Sequence, residues 1–562
     1  MRRPILSALA CGVLLTPLAS AQDPPATSAI PLMPGVTFEQ HTDLTPHGPV
    51  AYSVITAPAP TGGLTTIAPV LGGGTITGPR ETLVQLQESV TAIETVAGVN
   101  GDFFSGTHAA PTGIVIAGGA LEKVPTPARS SIGFDASGTM HVGRISFTGT
   151  WQGSGQRRAL TAVNQQPKVN QTVLFTPAWG ASTPAVANAA AVVLEPFPVA
   201  GVNTDLNATV SAIPDGSTAI PADGAVLVAT GTAAAKLQAE APQGGQVTVR
   251  LTLPPSWGSV VSALGGGPLL VKGGKPVFTT GENFASADLT SRQPRTAVGQ
   301  LADGHVILVT VDGGRPGHSV GMTTYELART MAKLGAVTAA GLEFGKDVTA
   351  AFDTRVLNRP QGSPQKIKEA LLVEYQGVYT PAPTPQLVTR AGAAGVSLAY
   401  RLVRPSTVTA SVVGPDGTSH QIDAGSRQPG TYRFTWSTLD AEGTWHWNVQ
   451  ASDDQSRSST ADVTFQYDLT LSGLAVTRSG GGAKVGFTLS RPASSILRIS
   501  APNGTLVDVL PAVSLAAGPG SLAWDGSTPT GTKAPNGTYV ATVIETSSIG
   551  ATSTSASFTL RR

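Results

Sequence analysis

The chain is expected to be α+β, with a β-rich domain of catalytic type followed by two all-β immunoglobulin-like sandwiches. Three observations lead there. Gly 65, Pro 43 and a charged fraction of 13% in 562 residues describe many turns and short strands with little helix. The last third carries an internal repeat of 87 residues. Between Arg295 and Pro360, short apolar segments and one capped helix end in charged, glycine-rich loops.

In chain order, Arg2-Arg3, the apolar run from Ile5 to Leu18 and Ala19-Ser20-Ala21 read as a secretory signal over 1–21, with cleavage expected after Ala21. The run is too short for a membrane span. Cys11 lies inside it, and too few apolar residues precede it to favour lipid attachment there. Without the signal, the chain has no cysteine and so no disulfide or thiol chemistry. The mature protein is expected to be secreted or extracytoplasmic, with no transmembrane segment. A net charge of +1 gives no reason to expect nucleic acid or an anionic membrane as a partner. Residues 22–35 are Pro/Ala-rich and read as a flexible leader; the catalytic-type domain is expected over 36–380.

Within it, Ala97-Gly98-Val99-Asn100-Gly101-Asp102-Phe103-Phe104 delivers two polar side chains around a turn anchored by aromatics. The stretch from Leu121 to Val261 reads as more β structure of the same domain, with Trp179 either beside a groove or in the core. Gly265-Gly266-Gly267-Pro268 lets backbone approach a ligand closely or simply makes a loop. It lacks the Lys-Ser/Thr of a P-loop and the spacing of a dinucleotide fingerprint.

Arg295–Leu301 and Val306–Val311 read as strands joined by a tight turn at Asp303-Gly304. The second is apolar except at Thr310, which predicts burial of both faces, and it ends in Asp312-Gly313-Gly314-Arg315. Thr323 and Glu326 form a capping box, Leu327, Met331 and Leu334 mark one helix face, and Gly335 suits the helix end. The following AVTAAGL segment ends in Glu343-Phe344-Gly345-Lys346-Asp347. Were the two flanking strands neighbours, Asp312 and Glu343 would face one cleft.

These pieces, in this order, resemble the phosphodiester glycosidases related to N-acetylglucosamine-1-phosphodiester α-N-acetylglucosaminidase, the "uncovering enzyme" family. The resemblance rests on VNGDFF at 99–104, LGGGPLLV at 264–271, RTAVG at 295–299, VTVDG at 309–313, SVGMT at 319–323 and VLNRP at 356–360. It implies a secreted hydrolase of sugar-1-phosphodiesters or related linkages in envelope polysaccharide, with Asn100, Asp102, Arg295 and Asp312 lining the pocket. The family's Asp followed by three glycines and two serines is here Glu343-Phe344-Gly345-Lys346-Asp347-Val348-Thr349, and Pro364-Gln365 stands where Glu-Arg is usual. The site is altered on two sides.

Glycosidic cleavage uses two carboxyls, a proton donor and a base or nucleophile. Asp312 and Glu343 are the first candidates, and Asp102 is the third. A departing phosphate benefits from a cation. Arg295 is the first choice of anion clamp because its planar fork suits phosphate oxygens, and Arg315 is the second. His318 reads as a loop hydrogen-bonder before a general base. No cofactor is expected; the metal, if any, is unknown, with calcium on carboxylates and loop carbonyls left open.

Beyond a proline-rich linker, PAPTPQ, Arg404-Pro405 and Arg491-Pro492 are 87 residues apart, as are PDGT at 415–418 and PNGT at 502–505. Sandwiches are expected over 383–468 and 469–562, the second resembling the immunoglobulin-like module of the flagellar hook-capping family. Two functions fit: a secreted hydrolase of envelope or extracellular glycan, or a glycan-binding or structural envelope protein on the same fold that has lost the chemistry.

Overall fold

The computed structural model describes residues 29–61, 63–91, 94–105, 110–277, 281–389 and 393–561. The expected signal, its cleavage site, Cys11 and most of the leader lie outside these residues. The leader's last part is not loose: Ile30–Met33 is an edge strand on Val36–Thr45, and Met33 is buried in the core.

The first domain is layered as helix, sheet, sheet, helix. One sheet has eight strands in the order Ile30–Met33, Val36–Thr45, Gly48–Ala57, Val306–Val311, Arg295–Leu301, Ala336–Gly341, Leu269–Lys272, Lys275–Pro276, every neighbour antiparallel. All six residues of Val306–Val311 are buried, as its unbroken apolar run predicts. Helix Thr324–Lys333 covers one face with Leu327, Ala328 and Met331. Both halves of its capping box are made, a feature worth about 1 kcal/mol, and Gly335 follows at φ +92°.

The opposite face packs Ile55, Val298, Leu308 and Ala340 on Ala97, Val99, Leu371 and Val373 of a second sheet. That sheet has five strands in the order Arg355–Val356, Ala350–Phe352, Thr95–Asn100, Glu369–Tyr375, Thr65–Leu71. Its outer face is closed by helix Leu83–Thr91 through Leu83 and Leu86.

The middle of the domain is more separate than its sequence suggests. Residues 148–252 build a second eight-stranded sheet with helix Thr232–Glu240 against it. Trp151, Leu174, Leu227, Leu237 and Val249 form its core. Trp179 is a core residue, 6% exposed, edge-on to Phe175. A five-stranded sheet containing Val115–Ala117, Ser131–Asp135 and Val260–Gly265 joins this unit to the layered part.

The repeat is visible strand by strand. Val396–Leu402 and Ser406–Val413 correspond to Gly482–Leu489 and Ala493–Ser500, with each Arg-Pro pair in the turn between. Each sandwich has its own core, around Tyr400, Trp445 and Trp447 in the first and Leu497, Trp524 and Val543 in the second. The linker is less free than its prolines suggest. Tyr379 and Arg401 exchange backbone hydrogen bonds, as do Thr384 and Ser397. Arg401 reaches Thr95 and Asp353, and Arg457 reaches Gln376 and the Gly63 carbonyl, so the first sandwich is bolted to the layered domain.

Candidate active site

Antiparallel registers bring several chain ends to one edge of the layered domain. Arg295 lies opposite Val311, and Ala297 lies opposite Gly341. In the second sheet Asn100 lies opposite Ala370, and Val99 opposite Ala350. Loops after Asn100, Val311 and Gly341 therefore meet those before Arg295, Ala350 and Glu369. Val306–Val311 and Ala336–Gly341 are not neighbours, however: Arg295–Leu301 runs between them. Asp312 and Glu343 are accordingly held apart, each in its own set of contacts.

Asn100 ties the two sheets together. It is fully buried; its Nδ2 donates to the Glu343 carbonyl at 2.9 Å, and its Oδ1 accepts from Thr296 Oγ1 at 2.7 Å and from the Thr349 N–H. Arg295 is likewise committed to the frame. It is 2% exposed, and its Nε and Nη2 donate to the carbonyls of Met322, Asp288 and Ser291. Burial lowers its affinity for a proton to about 10, against the pull of Asp288 and Glu326. A guanidinium so engaged is a poor clamp for phosphate.

Asp312 is a satisfied acid. Its Oδ2 pairs with His318 Nε2 at 2.8 Å, its Oδ1 accepts from Asn358 Nδ2 at 3.0 Å, and the Arg359 N–H bridges both oxygens. His318 thus bonds to a carboxylate that organises the Asn-Arg-Pro turn. Arg315 is exposed on the tip of that loop. Gly265, Gly266 and Gly267 receive neighbouring protein where a ligand was considered: side chains there would overlap Asp102, the Gly341 carbonyl and Glu282, respectively.

Asp102 and Glu343 differ sharply from Asp312. Asp102 is 1% exposed; its Oδ2 accepts from the Gly113 N–H at 2.6 Å, while its Oδ1 is buried with no partner. Burial raises its carboxyl to about 6, opposed by the Gly113 N–H, Lys123 and Arg129. Glu343 hangs from the end of Ala336–Gly341, its N–H on the Gly101 carbonyl, and its Oε2 is buried and unpartnered. Burial, then the negative charges of Asp347 and Asp102, push its carboxyl up to about 9, so it holds a proton at neutral pH.

Three residues not singled out from the sequence complete the cluster. Glu369 is fully buried, takes the Asp102 N–H on Oε2 and leaves Oε1 unpartnered; burial and Asp102 raise its carboxyl. Lys123 donates to the carbonyls of Thr112 and Gly113, and its proton affinity is lowered by burial against the pull of Asp102 and Glu369. The Arg129 guanidinium lies 4.5 Å from the Phe103 ring centre and 4.4 Å from that of Phe284, with Nη1 buried and unpartnered. Phe344 packs edge-on to Phe103 at 5.1 Å, beneath Arg295 at 5.2 Å. Among the described residues, no group of three or more His, Cys, Asp or Glu side chains is arranged to hold a metal ion.

The arrangement supplies a neutral carboxylic acid, a carboxyl that ionises near 6 and an arginine with a free N–H donor, all around one aromatic rim. Residues 197–374 match the family model described as phosphodiester glycosidase. Glu343, Glu369, Arg295 and Asp312 fall inside the phosphodiester-glycosidase match, whereas Asp102 and Arg129 precede it. Residues 473–548 match the FlgD Ig-like domain, in line with the second sandwich. A curated relative, the SPbeta prophage-derived uncharacterized protein YomE of Bacillus subtilis strain 168, is 32% identical over 107 residues; the match covers 19% of this chain and 16% of that protein. A hypothetical protein from Synechocystis is similar in structure, with TM-score 0.52 and 25% identity over 63% of this chain and 64% of the other. The zebrafish N-acetylglucosamine-1-phosphodiester alpha-N-acetylglucosaminidase catalytic domain, auto-inhibited by its pro-peptide, overlaps 62% of this chain and 86% of its own, at 13% identity and TM-score 0.34, a likeness too weak to carry weight.

Proposed function

We propose that the protein is an extracytoplasmic hydrolase that cleaves a sugar-1-phosphodiester or a related glycosidic linkage in envelope or extracellular polysaccharide. The observation that carries this reading is the pair of carboxyls with split proton affinities, Glu343 near 9 and Asp102 near 6, beside the unpartnered Nη1 of Arg129. Protonated Glu343 gives its proton to the oxygen leaving the anomeric carbon. Ionised Asp102 serves as base or nucleophile at that carbon. Arg129 holds the phosphate, its planar fork kept in place by Phe103 and Phe284. The phosphodiester-glycosidase match supports the reaction class. No helix among the described residues is long and apolar enough to cross a membrane, which is compatible with release from the cell. The test is hydrolysis of a chromogenic sugar-1-phosphodiester; no turnover at any pH between 5 and 9 sinks the proposal.

One observation favours a second reading, glycan binding without turnover. Phe344, where the family pattern has glycine, places its ring against Phe103 and Arg295. Replacing Phe344–Val348 by Gly-Gly-Gly-Ser-Ser together with Glu343→Asp separates the two. A gain in hydrolysis supports binding alone, and efficient hydrolysis by the unaltered protein excludes it.

A further inference from the structure

Next to the carboxyl cluster lies a cleft of about 670 Å³, within the ~300–1,000 Å³ range of ligand pockets. Two short segments form the partition between cluster and cleft. Arg129 belongs to the cluster, and Ser130, the next residue, lines the cleft. Phe284 belongs to the cluster, and Glu282 lines the cleft. The partition is rigid: Glu282 accepts from Ser130 N–H at 2.7 Å, Ser130 Oγ at 3.0 Å and the Leu269 N–H, and Asn283 donates to the Ala128 carbonyl. Arg144 is fixed on the same partition by bonds to the carbonyls of Pro127 and Gly281.

The charges exposed along this cleft are both positive, Arg144 and Lys272, whereas its carboxylate, Glu282, is buried and turned to its three donors. Its wall also carries glycine, and a side chain built on Gly143 would meet nothing within 4 Å. A cleft of this volume with two exposed cations, beside a site for glycosyl phosphate, suits a chain and not a single sugar. Resting on the proposed function, we propose that this cleft binds the polymer portion of an anionic glycan, with carboxylate or phosphate groups on Arg144 and Lys272, while the scissile linkage sits at Glu343 and Arg129.

The experiment measures calorimetric binding of an oligogalacturonate, an oligo(glycosyl phosphate) and a neutral malto-oligosaccharide of equal length, alongside hydrolysis of a small chromogenic sugar-1-phosphodiester. At least one anionic oligomer is expected to bind about tenfold or more tightly than the neutral one. Lys272→Glu and Gly143→Phe should each weaken it about tenfold while small-substrate hydrolysis is unchanged. Which anionic oligomer binds identifies the charged group. Equal binding of neutral and anionic chains, binding of none, or indifference to both substitutions overturns the proposal. Cleft-dependent anionic binding without small-substrate hydrolysis would instead reject the catalytic reading and keep the cleft.

Discussion

Asp312 and the Asp102–Glu343 pair stand on the same edge of the same domain, yet they are opposite kinds of acid. Asp312 has partners for both oxygens, from His318, Asn358 and the Arg359 N–H. Asp102 and Glu343 each keep a buried oxygen with no partner. An unsatisfied buried polar atom costs about 1–3 kcal/mol, so buried carboxyl oxygens without a protein partner are where a water or a ligand group gains most by binding. On the proposed reading, the satisfied carboxylate serves as framework and the unsatisfied pair is where chemistry is expected.

The strongest way to break this comparison is Glu343→Gln. Removal of a general acid should lower kcat about 10²- to 10⁴-fold without lowering Tm at neutral pH, because the native side chain there is already an uncharged group of the same shape. The two carboxyls should also give a bell-shaped rate profile, rising as Asp102 ionises near 6 and falling as Glu343 loses its proton near 9. The stability sign follows from the same shift. The folded state holds the Glu343 proton more tightly than the unfolded chain, so this group's contribution to stability is fully present below about 4.5 and is lost as pH rises through about 9. The Tm advantage of Glu343→Gln over the native protein should therefore widen from pH 5 to pH 9 in calorimetry. A constant gap would show that Glu343 titrates normally.

Next in size, Arg129→Lys removes the planar fork held by two phenyl rings and should raise KM for a phosphodiester roughly 10- to 100-fold, with less effect on an uncharged glycoside. Asp312→Ala should act mainly on stability, costing about 1–3 kcal/mol for each donor it leaves without a partner, with kcat per folded molecule within about threefold of native. A collapse of kcat at unchanged Tm would make Asp312 and His318 catalytic and erase the distinction. The smallest effect is expected from Arg315→Ala on the exposed loop tip, less than about twofold in kcat/KM.

Local order was legible in the sequence because it is written within short stretches. The strand Val306–Val311, the capped helix ending at Gly335 and the alternation of the two sandwiches need only neighbouring residues to specify them. The 87-residue spacing survives as matched strands because each turn carries its own Arg-Pro pair. The site was half legible. Asp102 and Glu343 stand out as acids after apolar segments, but their exposure, partners and protonation depend on contacts across the chain. Arg129 sits in an unremarkable Thr-Pro-Ala-Arg-Ser segment and matters only once Phe103 and Phe284 close on it. Arg295 and Asn100 show the same limit, because polar residues at strand ends satisfy buried backbone as readily as they face a ligand.

The bolts between the first sandwich and the layered domain have a mechanical meaning. Arg401 grips Thr95, the first residue of the strand Thr95–Asn100, and Asp102 lies two residues beyond that strand's last residue. The strand is buried along its whole length and spans about 20 Å. If the protein is held by its C-terminal sandwiches on a surface or a polymer, tension runs through Arg401 and Arg457 into the sheet itself and not into a slack proline hinge. The layered domain and the first sandwich then move as one stiff piece, with the carboxyl cluster carried along with the sandwich that holds it.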